Sequence, residues 1–137
     1  MNGLAAFLAR GRTAHEDLMS DRVRLFRPGA ETFDRETGAT VPGVPLVLYE
    51  GMARVRPVAQ ASGTEEQAGE REVRLLDYEV ALPFATELPA GERVAPGDQV
   101  EVLASQDPRM PGLTLWVTGA EVSGTASAWR IRTEDRT

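Results

Sequence analysis

The stretch Arg71 to Phe84, REVRLLDYEVALPF, is the longest uninterrupted strand-like run in the chain. From Tyr78 onward its residues alternate: Tyr78, Val80, Leu82 and Phe84 share one face, and Asp77, Glu79 and Ala81 share the other. That period of two is the pattern of a half-buried strand. Val73 and Leu75 are out of phase with the later apolar set. If both halves face one core, an extra residue must be absorbed near Leu75-Leu76, and a β-bulge does this most simply. A bulge bends a strand, and a bent strand can cross between two sheets or close a small barrel.

The flanking segments supply partners for it. Asp21 to Arg27 (DRVRLFR) sets Val23 and Leu25 against Arg22 and Arg24, and Pro28-Gly29 ends it. Residues 28–43 read as a long hairpin tip containing Asp34, Gly38, Pro42 and Gly43. Pro45 to Glu50 is apolar on both faces, as a central strand is. Gly51 then permits a sharp reversal or a bulge before Met52 to Arg56, where Ala53 and Val55 oppose Arg54 and Arg56. Residues 58–70 form a second long loop, rich in small polar residues and glutamate. After Leu88-Pro89-Ala90-Gly91 and Ala95-Pro96-Gly97-Asp98, Gln99 to Leu103 turns Val100 and Val102 inward. Leu113 to Val122 and Ala126 to Thr133 make a hairpin around Ser123-Gly124-Thr125, with Trp129 and Ile131 toward the core and Arg130 and Arg132 outward.

Ahead of these strands, residues 1–19 form a helical arm. Leu4, Phe7 and Leu8 share a face. Gly11 is a candidate stop, and Thr13-Ala14-His15-Glu16 has the form of a capping box for a second turn, although one interrupted helix fits equally well. An arm this short cannot build a core alone, so it must dock on its own barrel or on a neighbouring subunit. The expected fold is mainly β: a small antiparallel β-barrel or sandwich of six to seven strands over residues 20–137, with the N-terminal arm.

A chain of 137 residues is one domain by length, large enough to bury a core. It has no cysteine, which excludes disulfides and thiolate metal sites. No run of residues is long and apolar enough to span a membrane, and no basic region precedes the first apolar patch, so a soluble protein is expected. All the basic residues are arginine, a hint of a GC-rich genome. Residues 1–60 carry eight Arg against seven acids and residues 61–137 carry seven against fourteen, which makes the formal charge −6. Such acidity argues against a general phosphate-binding surface.

Chemistry-bearing constellations are scarce. His15 has no second histidine to share a metal, and a surface or packing role is expected. Glu65-Glu66 lies in a loop and Glu134-Asp135 at the chain end, where solvated charge is the expectation. The serines have no nucleophile-elbow context, and the glycines form no phosphate loop. No catalytic residue, cofactor or metal is therefore assigned. Arg22 and Arg24, like Arg54 and Arg56, repeat at the spacing that sets two guanidinium groups on one sheet face. They form either an ordinary solvent face or an ion-pairing surface for an acidic partner, and that partner could be another copy of this chain. Trp116, out of phase with Leu115 and Val117, is a candidate interface anchor or a residue covered in a two-sheet sandwich.

Taken in order, DRVRLFRP, a turn with DRETG, VLYEGMARVRP, a variable loop, REVRLLDYEVALPF, PGDQVEVL, LTLWVTGAEV and AWRIRTE resemble the small head–tail joining proteins of long-tailed double-stranded DNA phages, a group that includes the head-closure or stopper proteins. The resemblance covers about residues 21–133, and Tyr49-Glu50-Gly51 running into Ala53-Arg54-Val55-Arg56-Pro57 is its most characteristic piece. It implies a non-enzymatic virion protein of the neck, assembled in the host cytoplasm as a dodecameric or hexameric ring. The ring would sit between portal or adaptor and tail, with DNA passing through it unbound. It also implies that one long loop reaches the channel or the next ring. The candidates are Asp34, Arg35 and Glu36 in the first loop and Thr64, Glu65, Glu66 and Gln67 in the second. Tail-completion, terminator or minor capsid roles are the alternatives within that class. An OB- or SH3-like module binding nucleic acid or peptide is the alternative outside it.

Overall fold

The computed structural model describes residues 3–58, 67–68, 71–72 and 76–136. One helix, α1 (Gly3–Asp17), precedes ten strands: β1 (Asp21–Arg27), β2 (Thr32–Phe33), β3 (Thr40–Val41), β4 (Leu46–Pro57), β5 (Gln67–Ala68), β6 (Arg71–Glu72), β7 (Leu76–Pro83), β8 (Gln99–Ala104), β9 (Thr114–Glu121) and β10 (Ala128–Asp135). Six of them close a barrel in the order β1-β4-β7-β10-β9-β8, with every neighbouring pair antiparallel. Closure leaves no free barrel edge. The remaining four strands form two small ribbons, β2-β3 and β5-β6.

The interior is filled from alternate positions of all six barrel strands. Val23 and Leu25 come from β1, Ala53 and Val55 from β4, Val80 and Leu82 from β7, Val100 and Val102 from β8, Leu115 and Val117 from β9, and Ile131 from β10. Cutting the fully buried Leu25 back to Ala removes its packing and leaves a void, at a cost of about 2–5 kcal/mol. The alternation expected for β1, β8 and β10 is the one observed, including Trp129 packed at the core margin with its Nε1 donating to Phe84 O at 3.0 Å.

The barrel bends at places the sequence does not reveal. Register shifts fall between Leu25 and Phe26 against β4, between Arg22 and Val23 against β8, and between Arg132 and Thr133 against β9. They leave Leu48, Leu103 and Thr118 as the extra residues. β7 keeps unbroken register with β10 from Leu76 to Pro83. The expected bulge near Leu75-Leu76 falls on residues 73–75, outside the described residues.

Gly51 neither reverses nor bulges the chain. β4 runs straight through it, pairing Val23 with Gly51 in β1. A Cβ there would lie 2.7 Å from the Tyr49 hydroxyl, because the phenol folds back over Gly51 and donates to Met52 O at 2.7 Å. The glycine makes room for a ring two residues away on the same strand face. The two segments expected on either side of Gly51 are therefore one twelve-residue strand. Its first part is not buried on both faces, since Leu46 and Val47 are exposed and the core takes Leu48 from this stretch.

The outer face of β7 also departs from expectation. Glu79 and Ala81 are buried, not solvated, because α1 crosses β7 and β10 and Met19, just after the helix, packs on Ala81 and Ala128. Phe84, expected on the core face, lies past the strand end, and the Arg12 guanidinium stacks on its ring at 3.5 Å.

α1 is continuous through Gly11. Thr13 caps nothing; its hydroxyl donates back to Ala9 O at 3.1 Å within the helix. An interior glycine costs roughly 1 kcal/mol against alanine, and the docking of the next residues offsets it. Arg12 donates from Nε to Ala126 O at 3.2 Å and from Nη2 to Gly124 O at 3.1 Å. His15 Nδ1 is hydrogen-bonded to Ser127 Oγ at 3.0 Å. The arm thus docks on its own barrel.

Candidate functional site

Two outward surfaces carry the residues singled out in the sequence. The first is the charged outer face of β8, β1, β4, β7 and β10. Arg24 pairs with Glu50 at 3.0 Å and with Glu101 at 3.9 Å, and Arg22 reaches Glu50 at 3.4 Å. These four residues form a cross-strand ladder over three strands, so the charges of Arg22 and Arg24 are met within their own chain. Exposed pairs of this kind are worth at most about 1 kcal/mol each.

Arg54 and Arg56 lie differently. Arg56 pairs with the buried Glu79 at 3.1 Å. Arg54 has no ion-pair partner among the described residues. Register places Arg54 and Arg130 on either side of Ala81 in β7, and Arg56 and Arg132 on either side of Glu79. Strand spacing of about 4.8 Å puts each pair of arginine Cα atoms roughly 10 Å apart. The result is a four-arginine patch on an otherwise acidic chain, with Glu79 at its centre and Glu121 engaged by Arg132 at its margin. His15 looks onto this patch, and its pKa lies below the ordinary value. Burial is the leading cause, followed by the positive charge of Arg54 and Arg130; Glu79 opposes and Arg56 adds a smaller push. Sequence spacing brought out Arg54 and Arg56 but missed Arg130 and Arg132 as members of the same patch, because only strand order joins β10 to β4 across β7.

The second surface is the β-arm between β1 and β4. Residues 28–43, expected as a loop, fold into the β2-β3 ribbon, in which Thr32 pairs with Val41 and Phe33 with Thr40. Its base is pinched. A Cβ on Gly29 would meet Val44 O at 2.5 Å, and one on Gly43 would meet Ala30 O at 2.4 Å, so only glycine lets the two backbones pass there. Asp34, Arg35 and Glu36 form the tip. Asp34 Oδ1 accepts from Glu36 N at 2.9 Å, and Gly38, at positive φ, closes the turn onto Asp34 O. Phe33 and Val41 stay exposed on the ribbon.

Of the second loop, Thr64, Glu65 and Glu66 lie outside the described residues, and Gln67 belongs to β5, paired with Glu72. Trp116 points out of the core, as its phase implied, but the Arg136 guanidinium lies 4.8 Å from its ring centre. Glu134 and Asp135 are not a loose chain end, for both pair in β10 with β7 and β9. No group of three or more His, Cys, Asp or Glu residues that could hold a metal occurs among the described residues, and no described helix is long and apolar enough to cross a membrane.

A further groove of about 770 Å³ opens between the β7-β8 connection and the β9-β10 hairpin, lined in part by Leu88, Val94, Val122 and Trp129. Thr86, Glu87, Glu92, Arg93, Glu121 and Arg130 line it as well.

One family model matches the chain over residues 11–134, from mid-helix to the last strand; its description is a family of unknown function, DUF6093. No curated protein matches the chain, and no solved structure does.

Proposed function

The chain belongs to the DUF6093 family, and we propose that it is a structural virion subunit that works by assembling, as a ring in the neck that joins a phage head to its tail. The observation that carries this reading is the β2-β3 arm. It projects from a closed barrel, has unpaired strand edges, and presents Phe33 and Val41 to solvent. A large apolar side chain held out on such a ribbon is an interface element more readily than a solvent loop. The four-arginine patch supports the reading, since a charged face on a chain of opposite net charge favours contact with like chains. The resemblance of the strand-motif order to head–tail joining proteins is what suggests the location. In this account the subunit performs no catalysis, takes no cofactor, and lets DNA pass without gripping it. Its neighbours are its own copies, a portal or adaptor above and a tail protein below.

The test is the composition of purified particles from the strain that encodes the chain. Peptide mass spectrometry should find it in intact virions at a fixed ratio to the portal protein. Recovery solely in the soluble lysate of particle-producing cells would defeat the reading.

A further inference from the structure

Ten large apolar side chains are well exposed among the described residues, and eight of them belong to helix α1 with its following residue or to the stretch from Phe33 to Val47. The two places differ in charge. The arm carries Glu31, Asp34 and Glu36 against Arg35. The helix has no acid in its first turn and places Arg10 and Arg12 ahead of Glu16. Arg12 is engaged by the β9-β10 turn, whereas Arg10 is exposed. Leu4, Phe7 and Arg10 are successive neighbours three residues apart on the helix surface. They make an apolar strip ending in a positive charge, and Leu4 and Phe7 are 55% and 65% exposed. The arm offers the complement, Phe33 beside an acidic tip, while the register sets Val41 on the ribbon's other face.

We propose that the arm of one copy packs on the N-terminal half of α1 of the next copy, with Phe33 against Leu4 and Phe7, and Asp34 or Glu36 against Arg10. The proposal rests on the assembling role set out above and names the contact by which it would occur. The two surfaces are unlike, so the association is heterologous and propagates from copy to copy until it closes. Phe33 and Phe7 are 66% and 65% exposed, so covering both removes roughly 200–330 Å² from water, well below the area of a standard stable interface. A single arm–helix pair is therefore labile, and closure adds strength by making the last contact intramolecular.

Sedimentation velocity of the full chain, from micromolar to millimolar concentration, tests this with two variants. Phe33→Asp disables the arm and Phe7→Asp disables the helix strip. Both side chains are exposed, and circular dichroism melts should confirm that each variant keeps the native fold. Wild type should associate with rising concentration, and each variant alone should need at least ~10-fold more protein, the shift expected from losing about 1.4 kcal/mol at a contact. Mixed in equal amounts, the variants should form a one-to-one dimer and nothing larger, because one retains a working helix and the other a working arm. Reversing charge in both places, Asp34→Arg and Glu36→Arg with Arg10→Glu, should restore association that either change alone weakens.

Variants that assemble like wild type, a mixture that gives no dimer, or a wild type that stays monomeric at millimolar concentration would each overturn the contact. These results are separable from the fate of the neck reading. Presence in virions with an unaffected Phe33→Asp variant removes the arm–helix contact alone. Absence from virions with a behaving mixture removes the neck alone.

Discussion

Arg27 Nε donates to Asp98 Oδ1 at 2.8 Å, tying the last residue of β1 to the residue that precedes β8. The same carboxylate accepts from Ala95 N at 2.8 Å, and Arg27 continues to Glu92 Oε2 at 2.7 Å and Arg93 O at 2.8 Å. Asp98 is 2% exposed, its carbonyl accepts from Val117 N in β9 at 2.8 Å, and the neighbouring Gly97 N donates to Val117 O at 3.0 Å. One arginine thus fastens the seam where β1 meets β8 and holds the preceding turn against it. The bond to Asp98, then that to Glu92, raises the Arg27 pKa far above its ordinary value, so the guanidinium itself stays charged at any working pH.

Removing the buried carboxylate should therefore cost more than removing an exposed one. Asp98→Ala is expected to destabilise the fold by about 2–3 kcal/mol, because it strands charged and backbone donors. Glu50→Ala, at the exposed ladder, should cost about 1 kcal/mol or less. Urea unfolding at neutral pH compares them, and equal losses would mean that the seam is no stronger than the ladder.

The Tyr49 ring over Gly51 predicts a non-additive pair. Gly51→Ala places a methyl against the phenol and must push it off Met52 O, at a cost of about 1–2 kcal/mol. In a Tyr49→Ala background the same change should be neutral or stabilising, since alanine is the better strand residue once the ring is gone. A double-mutant cycle measures the coupling, and strictly additive losses would argue against this contact.

His15 makes the docked arm sensitive to acid. Its folded pKa is lower than its unfolded value, about 6.5, so the unfolded chain binds the proton more readily. This contribution to stability is complete above about pH 6.5 and is lost progressively as pH falls toward the folded pKa. Protonation puts a positive charge beside Arg54, Arg56 and Arg130, with Glu79 as the sole opposing acid among the groups that act on it. His15→Gln should flatten the pH dependence in that window. An imidazole NMR titration gives the pKa directly, and a midpoint above 6.5 would reverse the predicted sign.

Arg12 should hold the arm to the barrel. Arg12→Ala removes two hydrogen bonds and the stack on Phe84, and amide exchange over Gly3–Asp17 should rise about tenfold while the barrel strands keep their protection. Arg12→Lys should not rescue it, because an ammonium lacks the planar fork that reaches two carbonyls and stacks on a ring. Unchanged exchange in the helix would show that Met19 and the sheet contacts suffice.

The strand cores were legible because Val23, Leu25, Val100, Val102 and Ile131 alternate with polar neighbours, a local property of the chain. The purpose of Gly51 depends on where the Tyr49 ring folds, which no periodicity records. Nothing local marks Arg27, because Asp98, 71 residues away, meets it only after the barrel closes. The same holds for the arginine patch, where Arg54 and Arg130 become neighbours through β7. The sequence marks the arm as a hairpin tip, but only burial distinguishes its exposed Phe33 and Val41 from core residues. The groups that set the proposed interfaces are joined by topology, and topology is the part of a fold that a single sequence states least directly.

Imaging assembled particles by cryo-electron microscopy tests the central claim most directly. The account predicts a ring of this barrel between portal and tail tube, with the β2-β3 arm of each subunit lying on helix α1 of its neighbour. Density at the neck fully explained by other proteins, with this chain absent from the particle, would contradict it.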